Sequence, residues 1–563
     1  MFGTWRLFAL GLVLILAGGF LASAIQTSGG IEIRDVRFAG AGGVEMSALL
    51  YVPANATKAT PAPGILAVHG YINSRETQNG FAIEFARRGY VVLALDQTGH
   101  GFSGGAAFSN GFGGPDGLKY LRSLDMVDTA NIGLEGHSMG GWTVLAAAAA
   151  MPDAYRAIVL EGSATGAPFA AEGSTTWPRN LALVFSRYDE FSKLMWGVDR
   201  GRDVATSAKL QAVFGTTAPV EIGRIYGSIA EGTARVLYTP WTTHPGDHLS
   251  TVAIGDSLDW FAKTLKGGTP RAASDQIWIW REVGTGAALL GFVALLLGTF
   301  DLLLALPAFA PLRHAPMPVV EARDGRWWAA LLLMIFLPIL TYFPFFILGG
   351  LVLPPSFVFK QGITNQVLVW ALLNAALTLV IGFALRRPMP VFNADWRRAV
   401  PLAIATVAMG YAALALADLA FKIDFRFWVV ALKLFTPKQF GIALIYLLPF
   451  TAFFLVTLRA LHGLAVKSDG PFRQYASALA ALALGFLILL AIDYGALLLN
   501  GKLLTDFDPL STVIAMQFLP LMAAIAIIAV FAWRRTNSYL PGALICGLLV
   551  TWYIVAGTAT QAV

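Results

Sequence analysis

The sequence predicts a chain in two parts: an α/β domain, a mostly parallel sheet covered by helices on both faces, and an all-α polytopic transmembrane domain after it. Three observations predict it. Within residues 31–268, short apolar strands alternate with helical segments, the pattern that builds parallel sheets. From residue 276 the chain becomes a succession of apolar segments, each near the ~20 residues that cross a bilayer. Between these signals, Gly136-His137-Ser138-Met139-Gly140 follows the apolar run Ile132-Gly133-Leu134 and leads into Gly141-Trp142-Thr143-Val144-Leu145 and an Ala run, so a serine falls on a strand-to-helix turn.

Composition supports the division. Of 563 residues, 56% are hydrophobic and only 13% charged, an apolar excess that soluble domains do not carry and that locates much of the chain in lipid. The net charge of +6 would suit nucleic acid, but the arginines cluster in short links between apolar segments, which argues for membrane topology and against a nucleic-acid partner. Cys546 is the single cysteine, so no intramolecular disulfide forms.

In chain order, residues 1–30 carry Arg6 and the apolar stretch Leu7–Ile25, a transmembrane anchor. The small residues Ala22-Ser23-Ala24 keep a cleaved signal peptide open as the alternative. Strands are expected at 31–38, 44–51, 65–68, 90–95, 132–135, 157–160, 181–185 and 236–238. Helices are expected at 81–88 and 118–124, and an amphipathic one at 251–265 closes the domain. The domain of residues 276–563 should contain about eight spanning helices: 283–306, 327–352, 366–385, 399–420, 438–460, 474–498, 509–533 and 539–560. Alternate links are basic, through Arg313, Arg323 and Arg326; Arg386, Arg387, Arg397 and Arg398; Arg459, Lys467 and Arg473; and Arg534 and Arg535. Those links face the cytoplasm, which places the α/β domain on the outer, periplasmic face of a cytoplasmic (inner) membrane. The aromatic and basic stretch 421–435 reads as a helix lying on the outer interface. Asp301, Asp418 and Asp493 lie within apolar segments, where a carboxylate marks a functional candidate; Asp418 and Asp493 also sit near segment ends, within reach of interfacial water or Lys422.

Taken together, the motifs of residues 31–268 resemble the α/β-hydrolase superfamily, in particular its esterase- and lipase-like serine hydrolases. His69-Gly70-Tyr71 after a buried strand resembles the family's oxyanion loop, Asp96-Gln97-Thr98-Gly99-His100-Gly101-Phe102-Ser103 its D-x-x-G-H-G-x-S loop, and Gly136 to Gly140 its nucleophile elbow. The chain departs from the family at Gln97-Thr98, where arginine is frequent, and at Glu135, a polar residue just before the elbow.

The resemblance implies a triad in the order nucleophile, acid, histidine. Ser138 is the nucleophile. Asp189, in the loop after the strand 181–185, is the acid, with Glu190 in reserve. His244 is the favoured base over His248, because the family leaves several loop residues before the closing helix; five separate His244 from the cap Ser250 and one separates His248 from it. The backbone N–H groups of Tyr71 and Met139 are the implied oxyanion donors. His69 and His100 brace loops, and His137 is a structural occupant of the elbow. Pro245 and Gly246 oppose a helical metal pair at His244 and His248, so neither a metal nor a cofactor is expected.

The expected function is a membrane-anchored serine hydrolase that cleaves a carboxylic ester or thioester through an acyl-enzyme. Its partners would be an amphiphilic or lipid-like acyl ester and membrane lipid. An acyltransferase of lipid or envelope glycan using the same serine is one alternative, and a transporter or receptor with a hydrolase-like binding domain is another. The fold does not fix the acceptor.

Overall fold

A computed structural model describes residues 4–385, 394–558 and 561. Contacts between Cα atoms divide the chain into two compact units. One comprises Leu21–Val283, Tyr494–Pro509 and Thr560–Val563; the other comprises Met1–Phe20, Gly284–Asp493 and Leu510–Ala559.

The first unit is built on an eight-stranded sheet. In chain order its strands are β1 (Glu32–Ala39), β2 (Glu45–Val52), β3 (Ala62–Val68), β4 (Val91–Leu95), β5 (Val127–His137), β6 (Ala157–Glu161), β7 (Leu181–Val184) and β8 (Arg235–Tyr238). Their spatial order is β1-β2-β4-β3-β5-β6-β7-β8. β2 runs antiparallel to both β1 and β4, and every later pairing is parallel.

Burial explains the composition of the strands. β3, β4, β6 and β7 are buried along their whole length and carry continuous apolar runs, because helices cover both faces. The edge strand β1 instead shows Arg34, Asp35 and Arg37, charges that discourage pairing with another chain. The two-residue period along β3 sends Leu66 and Val68 to one face and Ile65 and Ala67 to the other. The first pair meets Trp142 and Leu145 of the helix Met139–Ala150. The second meets Phe81 and Phe85 of the helix Asn79–Arg87 and Trp260 and Phe261 of the helix Thr251–Thr264.

The chain leaves β3 toward β4 on one side and returns to β5 on the other. Such a reversal opens a crevice at the carboxyl ends of the two strands, the place where open α/β sheets bind ligands.

The second unit is helical. Each apolar segment expected after residue 276 is a helix, with bounds Ile279–Leu304, Gly325–Leu340 with Tyr342–Val352, Gly362–Ala384, Trp396–Phe421, Pro437–His462, Pro471–Asn500, Pro509–Thr536 and Leu540–Gly557. The second of these is bent by 51°. Pro338 lies one turn before the break and removes a helical N–H there. Counting Trp5–Gln26, eight helices among the described residues are long and apolar enough to cross a membrane, or nine if the bent pair is one span. Arg386 and Arg387, part of one expected basic link, and the last two residues of the segment 539–560 lie outside the described residues.

The first helix packs against Ile279–Leu304 backbone to backbone. A Cβ on Gly11 would lie 2.5 Å from the Leu295 nitrogen, one on Gly18 2.3 Å from the Gly284 oxygen, and one on Gly298 2.2 Å from the Phe8 nitrogen. Small residues at a helix crossing gain dispersion contact that lipid cannot replace.

One expectation needs correction. The stretch 421–435 is not an interfacial helix: Phe425–Phe427 and Val430–Leu432 pair as an antiparallel hairpin. Aromatic and β-branched residues favour strands, and Trp428 takes a positive φ of 52° at the turn. Asp301, one of the carboxylates expected within an apolar segment, accepts from Arg535 Nε at 2.9 Å.

The glycine crossing predicts that Gly18→Leu overpacks the helix pair at a cost of about 1–3 kcal/mol. A lowered Tm in detergent checks this; an unchanged Tm would mean that the two helices separate at no cost.

Candidate active site

The candidate site lies at the carboxyl ends of β3, β5, β6 and β7. Ser138 follows β5 directly and holds φ 56° and ψ −120°, a strained conformation for a residue with a side chain. Its N–H donates to Glu161 O at 2.8 Å, which ties the turn to β6. The flanking glycines make the turn sterically feasible. A Cβ on Gly136 would stand 2.2 Å from Gly140 O, and one on Gly140 would stand 2.1 Å from Val68 O. Met139 opens the next helix, so its N–H is among those a helix leaves without an internal acceptor. The loop after β3 passes over the serine: a Cβ on Gly70 would lie 3.1 Å from Ser138 Cβ, and Tyr71 follows immediately.

Gly162, the residue after β6, takes φ +51° and supports the opposite wall. A Cβ there would meet His244 Nδ1 at 2.7 Å and Asp189 Oδ2 at 3.2 Å. The structure therefore gathers Ser138, Asp189 and His244 around the ends of adjacent strands. His244 Nδ1 donates to Asp189 Oδ2 at 2.8 Å, and Asp189 Oδ1 accepts from the Phe191 N–H at 2.7 Å. Burial pushes His244 down to about 4, so the ring is neutral near pH 7 and Nε2 is its basic nitrogen. Burial and the neighbouring Asp247 push Asp189 up, while the Phe191 N–H favours its ionised form.

The reserve candidates occupy other positions. Glu190 does not reach the ring; its Oε2 accepts the backbone N–H of His244 at 2.7 Å. His248 packs with its ring centroid 4.2 Å from that of His137 and edge-on to Phe81. His137 does more than fill the elbow: its Nε2 donates to His244 O at 2.9 Å, and its ring lies 4.6 Å from that of His244. Asp247, beside His137 at 3.5 Å, in turn accepts from the Ser186 hydroxyl.

Both departures from the family pattern have partners. Gln97 donates to His69 O, and its Oε1 accepts from Thr143 at 2.6 Å. Glu135 accepts from Gln78 Nε2 at 2.7 Å, and burial pushes its carboxyl up to about 8. His69 donates to Gly70 O at 2.7 Å and accepts from the Gln97 N–H, while His100 donates to Thr98 O at 3.0 Å, so both brace loops. Asp96 ties the D-x-x-G-H-G-x-S loop together by accepting from the N–H groups of Arg75 and Phe102 at 2.8 and 3.0 Å.

An aromatic surface adjoins Tyr71. Its ring lies 5.5 Å from Phe108, which stacks on Phe169 at 5.8 Å, and Phe169 in turn lies 4.8 Å from Trp142. Phe108 and Phe169 remain 44% and 43% exposed. Phe108 and Phe112 both hold positive φ, 69° and 59°, and the buried Phe112 ring lies edge-on to Phe108 at 6.0 Å.

Sequence reasoning missed the tether from His137 to His244, the partnership of Asp247, and two residues distant in the chain. Tyr494 donates to Glu190 Oε1 at 2.8 Å. Gln561 exchanges backbone hydrogen bonds with Gly99 and Ala107 at 2.9 and 2.8 Å. The paired carboxylates Asp189-Glu190 were the one visible signal, since two neighbouring buried acids require two sets of donors.

Parts of the chain are similar to known proteins. Residues 59–189 match the family described as serine aminopeptidase, S33. A monoacylglycerol lipase of Mycolicibacterium smegmatis is 34% identical over 138 residues, covering 23% of this chain and 46% of the lipase. The chain spans less than half the length of the curated relatives it matches. An esterase of Pyrococcus furiosus, 18% identical, aligns over 42% of this chain and 92% of its own with a TM-score of 0.31. A dienelactone hydrolase of Anabaena variabilis, also 18% identical, aligns over 42% and 99% with a TM-score of 0.28.

The sheet-bearing unit is an α/β-hydrolase domain, with the strand order, elbow and crevice of that fold. The chain thus joins a domain of α/β-hydrolase fold, similar over part of its length to a lipase, to a helical region with several membrane-length apolar helices.

Glu135 yields a prediction whose sign is fixed. Its folded pKa of about 8 lies above the ordinary 4.5, so the stability held by the neutral carboxyl is full below pH 4.5 and lost as pH rises through 8. Glu135→Gln keeps an acceptor for Gln78 and never ionises. Its Tm should match wild type at pH 4.5 and exceed it at pH 7.5; equal curves at both values would show that Glu135 titrates normally.

Proposed function

We propose that the protein is a serine hydrolase that cleaves a carboxylic ester or thioester through an acyl-enzyme formed on Ser138. The observation that carries this reading is the His244–Asp189 hydrogen bond at 2.8 Å, braced by Gly162 beside a serine on a strained elbow. Ser138 Oγ attacks the carbonyl carbon while His244 Nε2 takes its proton. The imidazolium is stabilised by Asp189 and returns the proton to the departing alcohol or thiol. The Met139 and Tyr71 N–H groups hold the oxyanion. Water then enters, is deprotonated by His244, and releases the acid.

The substrate is an ester with a large apolar group, consistent with a lipid-like molecule. Support comes from the exposed aromatic surface of Phe108 and Phe169 beside Tyr71, where apolar area is withdrawn from water on binding. Similarity to the mycobacterial monoacylglycerol lipase points the same way. Residues 31–268 form the catalytic domain, 1–30 a retained anchor and 276–563 the membrane domain. The arginine-rich alternate links support a multi-pass arrangement in the cytoplasmic membrane with catalysis on its outer face, where membrane lipid is at hand.

An active-site fluorophosphonate should label the wild-type protein and leave Ser138→Ala unlabelled, because only an activated serine attacks phosphorus rapidly. His244→Ala should slow labelling by several orders of magnitude and His248→Ala far less. Equal labelling of wild type and Ser138→Ala would falsify the assignment.

The aromatic surface predicts chain-length selectivity. The pair Phe108→Ser and Phe169→Ser should lower kcat/KM for a p-nitrophenyl decanoate by about tenfold or more while changing the acetate less than about threefold. Equal losses on both esters would remove this surface from substrate recognition.

A further inference from the structure

We propose that Tyr494 is a positioning residue for the histidine of the site, acting through Glu190. The inference rests on the reading of Ser138, Asp189 and His244 given above and assigns a role to a residue some 250 positions beyond His244 in the sequence.

Asp189 and Glu190 are consecutive and both buried. Two neighbouring carboxylates in a dry environment repel one another and lose hydration, so the turn is stable only if each receives donors. Asp189 has the ring of His244 and the Phe191 N–H. Glu190 has the backbone N–H of His244 on Oε2 and the hydroxyl of Tyr494 on Oε1. His244 is therefore held by its ring to one acid and by its backbone to the next, and Tyr494 is the side chain that fixes the second acid. Without that hydroxyl, Oε1 has no side-chain donor, and Glu190 is free to rotate away from the His244 N–H. The ring–Asp189 bond would then have to hold the loop with one anchor fewer, and misplacement of a base by a fraction of an ångström is costly in rate.

The segment that carries Tyr494 is itself fixed to this unit. Residues 494–509 cluster with it, and Arg202 donates to Asn500 O at 3.4 Å. A Cβ on Gly501 would lie 3.2 Å from Arg200 Cδ. Between those arginines, Gly201 presses on the loop of the acids, since a Cβ there would stand 2.5 Å from Ser186 O and 2.8 Å from Asp189 N. Tyr494 thus reaches the turn of residues 186–190 directly, and Asn500 and Gly501 lie against the arginines that flank Gly201 beside it.

The test uses the full chain in detergent with p-nitrophenyl acetate, a substrate too small to need the aromatic surface. Tyr494→Phe should lower kcat about tenfold with KM within twofold of wild type, because it removes a bond that orients the base and none that holds substrate. Glu190→Ala should lower kcat at least as far, while Glu190→Gln, which still offers an acceptor to the His244 N–H, should recover most of it. In the Glu190→Ala background, Tyr494→Phe should have no further effect, since its influence passes through Glu190. Wild-type kcat in Tyr494→Phe, or an undiminished loss when it is added to Glu190→Ala, would overturn the proposal. If Tyr494→Phe fails to fold, the comparison at Glu190 decides alone: equal losses in Gln and Ala variants overturn it. Fluorophosphonate labelling of wild type separates the two readings, because a wild type that does not label at Ser138 removes the site itself, whereas one that labels at the Tyr494→Phe rate removes only the relay.

Discussion

Asp189 and Glu190 place two carboxylates on one buried turn, and the turn holds because His244 serves both, its ring N–H donating to the first and its backbone N–H to the second. From the other side, His137 donates to the His244 carbonyl. Ring, N–H and C=O of one residue are each engaged, so His244, which caps the short 3-10 helix Pro245–Leu249 between β8 and the helix Thr251–Thr264, has little freedom. Burial then sets the ring's chemistry by disfavouring its charged form.

Such a loop can be placed only if the strand ends allow close approach. Gly136 and Gly140 let the elbow fold back on itself and on Val68, and Gly162 leaves the volume that the His244–Asp189 pair occupies. These glycines lie at the carboxyl ends of parallel strands, where the sheet order reverses. Topology opens the crevice and the absence of three side chains lets its walls meet. The price is backbone strain at Ser138, carried by the hydrogen bond from its N–H to Glu161.

Much of the fold was legible because its signals are local. Apolar runs such as 65–68 and 157–160 became strands within a few residues of their expected ends, and the membrane-length helices follow the apolar segments closely. The hairpin at Phe425–Leu432 is hidden because its charge and aromatic content suit an amphipathic helix equally well, and strand propensity wins. The choice of His244 over His248 followed from spacing before the last helix, and the geometry puts His244 rather than His248 on Asp189. Tyr494 and Gln561 were invisible for a different reason. A tyrosine at the end of an apolar helix has no local mark, and its partner is determined only when distant segments come together. Arg535 beside Asp301 was hidden in the same way, since each reads as an isolated charge until two helices are packed.

The sheet-bearing unit is discontinuous in sequence, and that has a temporal meaning. Its sheet and both acids are synthesised long before residues 494–509 and Gln561, which complete the donors of Glu190 and the bracing of Gly99 and Ala107. A ribosome delivers the sheet first, and domains begin to fold as they emerge. Until Tyr494 has been made, Glu190 Oε1 lacks that hydroxyl. Its last native contacts form across very long chain loops, whose closure adds only a slowly growing entropic cost. Maturation of the site is in this sense a report that segments made long after the sheet have found their partners on it.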